Sequence, residues 1–387
     1  MIHTATITFG SPNIDDRIPK SIFENFISHK KTQLVHETES KLKWVNLSLR
    51  QEGLTVIGIK YLTANYPWYQ FLVRINFLRL IEKDNHIKLF SESSIAEVAE
   101  TFDNVMQRAF GIGMIPSFLD FKVNRIDYCI NVRTPYVKAY IALLKKSDKP
   151  YFMQLPKDKW GRETRTAGSV YYCGKSRNIN IYDKLDQLVK EKEIKPRLIT
   201  DEMLKNAENI LRIEVQWKAK TSAHIRKLRQ ENPQCEIKKY LSNFLSDSDA
   251  IAALHECIKS VSKDAPFRTI SQSQALIEQS NFRSSTKNRL LRHLLAIACK
   301  NNSIYKYRSE LDDKAQTLYR DLKALESIGV NAVTIPEYML RSRTGMISKD
   351  QFKTIRENGL PSLMTIANQA IDEEVRDVLQ LWEVTDD

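Results

Sequence analysis

The sequence predicts an α+β protein in which a mainly antiparallel sheet with helices precedes a helical C-terminal domain. As far as about Lys220, short runs rich in Val, Ile, Phe and Tyr alternate apolar and polar residues, which is typical of half-buried strands. Beyond that point strand signals largely stop and apolar residues recur at helical spacing. We therefore expect a boundary between Lys218 and Pro233, with domains of residues 1–228 and 229–387.

We assign the individual strands from apolar–polar alternation and the individual helices from apolar residues at helical spacing. The predicted strands are Ile2–Phe9, Leu54–Tyr61, Tyr69–Leu80, Phe121–Val132, Ser169–Cys173, Asn178–Asp183 and Asn209–Trp217. The predicted helices of the first domain are Ser94–Phe110 and Pro135–Lys146. Those of the second domain are Ile237–Leu245, Asp247–Ser260, Ser271–Ser280, Ser284–Lys300 and Leu311–Ile328.

Composition narrows the class of partner. The chain has 387 residues and a formal net charge of +12, an excess that favours a polyanion, most commonly nucleic acid. Met1–Phe9 lacks the pattern of a signal peptide, and no run approaches the roughly 20 apolar residues of a membrane span. The five cysteines are widely spaced without a C-x-x-C, which argues against a disulfide framework or a zinc site. We expect a cytoplasmic protein that does not contact a membrane.

Three of the predicted strands have an apolar face and a polar face of unusual content. Residues two apart on a strand share a face. The polar residues are Arg125 and Asp127 in VNRIDYCI, Tyr182 and Lys184 in INIYDK, and Arg212 and Glu214 in LRIEVQW. Each Arg-x-acid pair is explained equally well by a cross-strand salt bridge, so an active site and a structural ion-pair sheet both stay open on pattern alone.

These residue types suit one reaction, the cutting of a DNA strand with conservation of the phosphodiester energy. Tyrosine can act as the covalent nucleophile, because a phenol is far more acidic than an alkyl alcohol. Carboxylates can hold a divalent ion that polarises the scissile phosphate. A lysine or an arginine can stabilise the additional negative charge of the pentavalent state.

The chain resembles the gene II/gene X family of phage and plasmid replication proteins, whose type member is the gene II protein of filamentous phages. The resembling segments are VNRIDYCINV (123–132), INIYDKLDQL (179–188) and LRIEVQWK (211–218). The opening IHTATITF and the late GVNAVTIP (329–336) look like members from Gram-positive bacteria. The order and spacing of these segments carry the resemblance over nearly the whole chain.

The resemblance implies a replication initiator whose first domain nicks one strand of a double-stranded origin and rejoins it. Its tyrosine stays linked to the 5′ phosphate, and the freed 3′-OH primes rolling-circle synthesis. The linking tyrosine maps to Tyr182, and the lysine two residues on maps to Lys184. The other two strands map to Arg125 and Asp127 and to Arg212 and Glu214. DNA is the implied partner, together with a host helicase and a polymerase.

A metal site is our chemical inference beside this resemblance. We expect Asp127 and Glu214 to hold Mg²⁺ or Mn²⁺, with Lys184, Arg125 and Arg212 beside the phosphate. Many rolling-circle initiators hold their metal with a His-x-His pair. This sequence has none, so a carboxylate-based or mixed site must replace it.

Several alternatives stay open. Tyr128 is expected in the core, while Tyr171 and Tyr172 are weaker rivals of Tyr182 as the nucleophile. A conjugative relaxase shares the chemistry but acts at a transfer origin. A non-catalytic DNA-binding regulator would use the helical half alone, where residues 313–330 have helix-turn-helix character with Thr317, Tyr319, Arg320 and Lys323 as candidate groove contacts.

Overall fold

The fold is described from a computed structural model of the full chain. The description covers all residues except 11–17, 30, 47, 64–65, 83–86, 111–115, 151, 159–162, 165–167, 195, 197, 219–229, 231–238, 301–302, 312–314, 341–348 and 384–387. Within it the expected α+β class is confirmed, with a nine-stranded sheet and helices in the N-terminal part and a helical C-terminal part.

The sheet has the strand order β2-β3-β4-β5-β1-β6-β9-β8-β7. The strands are β1 (Ile2–Phe9), β2 (Thr32–Thr38), β3 (Lys41–Asn46), β4 (Leu54–Tyr61), β5 (Trp68–Asn76), β6 (Lys122–Arg133), β7 (Ser169–Cys173), β8 (Arg177–Asp183) and β9 (Ile210–Lys218). Antiparallel pairing joins β2 through β6 by way of β1, and also joins β7 to β8. The three strands with polar faces, β6, β9 and β8, are therefore neighbours, as expected.

The helices among the described residues fall into two groups along the chain. The earlier ones are α1 (Lys20–Ser28), α2 (Phe77–Ile81), α3 (Ile95–Phe110), α4 (Val137–Leu144), α5 (Lys184–Ile194) and α6 (Asp201–Asn206). The later ones are α7 (Asp247–Val261), α8 (Ile270–Gln279), α9 (Ser284–Cys299), α10 (Ile304–Arg308), α11 (Ala315–Ser327), α12 (Lys349–Asn358) and α13 (Leu363–Glu383). None of the described helices combines the length and apolar character that crossing a membrane requires.

The chain forms two compact units. The first contains residues 1–129, 175–177 and 215–253, and the second contains residues 130–174, 178–214 and 254–387. Strands β6 and β9 each contribute to both units, so the units are interleaved along the chain. The expected boundary between residues 228 and 229 lies outside the described residues and stays a prediction.

The first unit has an aromatic core between its helices and one face of its strands. The ring of Phe71 lies 5.0 Å from that of Phe26 on α1, and Phe121 lies 5.3 Å from Phe102 on α3. A Cβ atom on Gly58 of β4 would stand 2.6 Å from the Phe26 ring. Glycine at this position therefore lets α1 approach the sheet closely.

The second unit joins the end of β6, the start of β9, β8 and β7 to the C-terminal helices. Tyr140 on α4 donates a hydrogen bond of 3.0 Å to the Pro361 carbonyl and packs edge-on against Phe267. The Ile304 amide donates to the Lys146 carbonyl at 3.0 Å. The helical region is thus packed onto α4, which immediately follows β6.

Two predicted elements are wrong in part. The strand expected over Tyr69–Leu80 ends at Asn76, because the Asn76 side chain accepts a hydrogen bond from the Arg79 amide and caps α2. The described part of the expected helix Ile237–Leu245 contains only a 3-10 turn at Leu241–Phe244. Tyr240, directly before this turn, is extended instead and forms a β-bridge with Lys122.

The hairpin of β2 and β3 and the helices α1, α5, α6, α10, α12 and α13 were not among the predicted elements. Strand β2 is the outer strand of the sheet and its residues after Thr32 are largely exposed. A register shift between Leu34 and His36 makes Val35 the extra residue of a β-bulge. An exposed edge strand of this kind lacks the apolar alternation on which strand prediction depends.

Candidate active site

Tyr182 and Glu214 meet in the second unit. Tyr182 is the penultimate residue of β8, and Glu214 is central in β9. The Tyr182 hydroxyl donates a hydrogen bond of 3.3 Å to Oε2 of Glu214. Both residues are buried, with 9% and 6% of their surfaces exposed. The two strands therefore place a carboxylate where it can accept the phenol proton.

Pairing with β7 defines which other side chains share the face of Tyr182. Tyr182 lies opposite Ser169, and Tyr171 lies opposite Asn180. Directly paired residues point to the same side, so Tyr171 shares the face of Tyr182 while Tyr172 is on the other. The Tyr171 hydroxyl accepts a hydrogen bond of 3.1 Å from Nδ2 of Asn178.

Lys184 lies on a helix, contrary to the strand position expected from alternation. Strand β8 ends at Asp183, whose Oδ1 accepts hydrogen bonds from the amides of Leu185 at 3.0 Å and Asp186 at 3.4 Å. This capping starts α5 at Lys184. Nζ of Lys184 donates to Oε1 of Gln187 at 2.6 Å and is largely buried. Burial also raises the pKa of the Asp183 carboxyl above its ordinary value.

Arg212 is wholly buried rather than presented on an open polar face. Its Nε donates a hydrogen bond of 2.7 Å to Oδ1 of Asn131 on β6. A buried guanidinium requires such partners, because an unpaired charge is costly to remove from water. Asn131 was not among the site residues predicted from the sequence, although it shares the two-residue period of Asp127 and Cys129.

Arg125 and Asp127 form a bidentate ion pair in the first unit. Nε of Arg125 donates to Oδ1 of Asp127 at 2.6 Å, and Nη2 donates to Oδ2. The Thr4 hydroxyl on β1 donates to the same Oδ2. Asp127 is 1% exposed, whereas 42% of the Arg125 side chain is exposed. A structural ion pair is thus present at this Arg-x-Asp motif, within β6 and not across two strands as the open alternative had it.

The expected metal ligands, Asp127 and Glu214, already accept hydrogen bonds from other side chains. Both oxygens of Asp127 accept hydrogen bonds from Arg125, and Oε2 of Glu214 accepts one from Tyr182. Across the described part of the chain, no three His, Cys, Asp or Glu side chains cluster as a metal site. The assignment of Asp127 and Glu214 as metal ligands stays a prediction.

Tyr128 belongs to the core, as expected. Its ring is fully buried, packs edge-on against Trp217 and donates a hydroxyl hydrogen bond of 3.0 Å to the Phe244 carbonyl. Burial, with a smaller effect of the Asp249 charge, raises the pKa of Tyr128 well above its ordinary value. The phenol therefore stays protonated and is a poor nucleophile.

The comparisons with known proteins bear on the same strands. Residues 87–246 match the family model that describes the N-terminal part of the phage replication-associated protein, the gene II protein. The matched stretch contains the six expected site residues and covers less than half of the chain. It supports a relationship to phage replication initiators of the gene II kind, without distinguishing a Gram-positive type. No curated protein and no solved structure matches the chain.

The helix with helix-turn-helix character is α11. Thr317, Tyr319, Arg320 and Lys323 are all exposed on it, and the Lys323 ammonium lies 4.8 Å from the centre of the Tyr319 ring. Leu318 and Leu325 are buried on its other side. The four candidate groove contacts are accordingly accessible, and their use on DNA stays a prediction.

Proposed function

We propose that this protein initiates replication by nicking one strand of a phage or plasmid origin with Tyr182. The observation that carries the proposal is the pairing of the Tyr182 hydroxyl with Glu214 inside the stretch similar to the phage replication-associated protein. The net charge of +12 supports DNA as the partner. A host helicase and a polymerase would act on the nicked product.

The proposed reaction is a phosphoryl transfer with a balanced exchange of bonds. The Tyr182 oxygen forms a bond to phosphorus while the bond from phosphorus to the 3′ oxygen breaks. Glu214 accepts the phenol proton as that bond forms, and the 3′ oxygen takes a proton from water. The products are a 5′-phosphotyrosine link and a free 3′-OH. The reverse exchange rejoins the strand.

The remaining residues of the second unit are proposed to position this pair or to balance charge. Lys184 begins α5 two residues after Tyr182 and supplies a positive charge beside the reacting strand. Arg212 has no exposed surface, so we assign it the positioning of β9 and Glu214 through Asn131. Tyr182 itself retains little exposure, and DNA must therefore gain access to its hydroxyl when it binds.

Metal dependence is proposed to rest on the two buried carboxylates. Glu214 and Asp127 would hold Mg²⁺ or Mn²⁺, which supplies Lewis-acid polarisation of the phosphate when bound. For Asp127 this requires opening its ion pair with Arg125. Arg125 would then turn its exposed guanidinium toward the DNA backbone.

The test is a supercoiled plasmid carrying the cognate origin, incubated with the protein and Mg²⁺ or Mn²⁺. We expect a relaxed circle with protein attached through a tyrosine to a 5′ end. A non-catalytic regulator would retard the plasmid on a gel and leave it supercoiled. A relaxase would nick only a plasmid that carries a transfer origin. Either result would contradict the proposal.

A further inference from the structure

The strands of the first unit have one face packed and one face open. On the packed face Phe71, Val73 and Val56 have no exposed surface beneath the helices. We call the opposite side of β3, β4, β5, β1 and β6 the open face. Its side chains are largely half-buried or exposed, among them Lys41, Lys43, Tyr61, Trp68, Gln70, Arg74 and Thr6.

The strand register establishes that these side chains share one face. Lys41 pairs with Tyr61, which pairs with Trp68. Thr6 pairs with Arg74 on one side and with Arg125 on the other. Directly paired residues point to the same side of a sheet. The open face therefore runs from β3 to the Arg125 row, and the register places the buried Ile57 and Thr8 beside Leu72 in its middle.

An aromatic pair stands at one end of the open face. The rings of Tyr61 and Trp68 are stacked, with centroids 3.9 Å apart and planes 6° from parallel. The Tyr61 hydroxyl donates a hydrogen bond of 3.2 Å to Oε1 of Gln70, which fixes the orientation of the ring. Parallel rings held on a solvent-accessible sheet face are a surface on which an unpaired nucleic acid base can stack.

Positive charge accompanies this aromatic pair. Lys41 and Arg74 are exposed, and Lys43 is half-buried. Among the described residues, no carboxylate lies within ion-pair distance of these three cations. The carboxylate that the register places on this face is Asp127, which Arg125 neutralises. The open face thus carries net positive charge at Lys41, Lys43 and Arg74, which favours a polyanion as its partner.

We propose that the open face is a track for single-stranded DNA. Bases stack on the Tyr61–Trp68 pair, and Lys41, Lys43 and Arg74 contact the phosphates. A duplex fits poorly, because its bases are stacked on one another and cannot reach the rings. From Trp68 to Arg74 the track runs roughly 20 Å along β5. The inference rests on the proposed function only in taking DNA as the partner.

The stacking part of the proposal is tested by fluorescence anisotropy. A short fluorescein-labelled oligothymidylate is titrated with the full-length protein in the absence of divalent metal. We expect W68A to weaken binding roughly 5- to 140-fold, the range found for loss of one stacked base. W68F keeps an aromatic ring and should bind close to the wild type. Y66A, a matched control on the neighbouring exposed loop, should also bind normally.

The electrostatic part uses a charge reversal with a control on the packed side. R74E should weaken binding and lower the slope of log affinity against log salt by about 0.7 or more. K20E makes the same change of charge on α1, where the Lys20 side chain is 71% exposed, and should leave affinity unchanged. Thermal unfolding of every variant is compared with that of the wild type, to check that the sheet is intact.

Failure of the track is distinguishable from failure of the nicking proposal. Wild-type binding by both W68A and R74E overturns the track, and so does equal competition by a duplex of the same length. If the track variants weaken binding while no plasmid is nicked, the track stands and the proposed function fails. If the plasmid is nicked but neither W68A nor R74E alters binding, the proposed function stands and the track fails.

Discussion

The hydroxyl of Tyr182 lies 3.3 Å from Oε2 of Glu214, although the two residues are 32 positions apart in the chain. A phenol that donates to a carboxylate is arranged to lose its proton to that carboxylate when it attacks. The roles of Tyr182 and Glu214 can therefore be tested by substitutions that each remove one chemical group and keep the shape of the side chain.

Tyr182→Phe removes a hydroxyl and keeps the ring. We expect nicking to fall to background, because the covalent step has no other nucleophile, while DNA binding and folding persist. Plasmid relaxation and gel retardation measure the two properties separately. Tyr171→Phe is the matched control, since Tyr171 shares the face of Tyr182 on the paired strand. A tyrosine adduct that maps to Tyr171, Tyr172 or Tyr128 by mass spectrometry contradicts the assignment.

Glu214→Gln keeps the shape of the side chain and removes its charge. We expect nicking to fall about 10²- to 10⁴-fold, as for loss of a general base. If the carboxylate also holds the cation, the concentration of Mn²⁺ at half-maximal nicking should rise and excess Mn²⁺ should restore part of the rate. The rate is followed against metal concentration, with the wild type alongside. An unchanged rate in this variant would remove Glu214 from the site.

Asp127→Asn should affect stability and metal response together. The substitution removes the negative charge to which Arg125 and Thr4 donate hydrogen bonds. We therefore expect the free energy of unfolding to fall by about 1–3 kcal/mol. Urea denaturation measures this loss. A metal titration of nicking in the same variant should shift to higher Mn²⁺. A stability loss with an unshifted titration would make Asp127 purely structural.

Tyr128→Phe separates a buried tyrosine from a reactive one. The substitution removes the hydrogen bond to the Phe244 carbonyl, and we expect it to cost about 1 kcal/mol of stability. Nicking per folded molecule should be unchanged, because burial keeps this phenol protonated. Denaturation and plasmid relaxation are compared on the same preparation. A specific loss of nicking would instead make Tyr128 a rival of Tyr182.

A pH effect is expected from the second unit. Burial lowers the pKa of His293, whose ring lies 3.2 Å from Asp321 and 2.9 Å from the Tyr307 hydroxyl, with Arg289 and Arg292 nearby. In the unfolded chain the imidazole takes up its proton near pH 6.5, whereas in the folded protein it does so only at a lower pH. The folded state's preference for the neutral ring therefore stabilises the protein above about pH 6.5. This stabilisation is lost as the pH falls toward the folded-state pKa. Thermal unfolding from pH 7.5 to 5 should show a smaller decline for His293→Gln than for the wild type.

The sequence predicted the class of fold and the adjacency of the three strands because each of these strands has a complete apolar face. Ile126, Ile130, Ile179, Ile181, Ile213 and Val215 are all buried. The predicted end of this strand at Asp183 is confirmed, but the assignment of Lys184 to its polar face is wrong, because α5 begins at that residue. The capping role of Asp183 was the available signal, an acidic residue directly before a run with helical spacing.

The partners of the buried charges could not be predicted from local pattern. Arg212 pairs with Asn131, which is 81 positions away, and Asp127 pairs with Thr4, which is 123 positions away. Such contacts depend on strand order and register, and neither is contained in the periodicity of one segment. The open face was missed for a related reason, because the register that brings Lys41, Tyr61 and Trp68 side by side on consecutive strands is not contained in the pattern of any one segment.

The β-bulge at Val35 has a consequence for the behaviour of the protein in concentrated solution. An outer strand offers unpaired amides and carbonyls to a second molecule, and Leu34 and Val35 on β2 are about half exposed. The bulge interrupts the regular ladder on that strand, and His36 and Glu37 follow it with polar side chains. A flat outer strand would invite sheet-to-sheet polymerisation between molecules. The extra residue in β2 therefore protects the protein against aggregation at its most vulnerable margin.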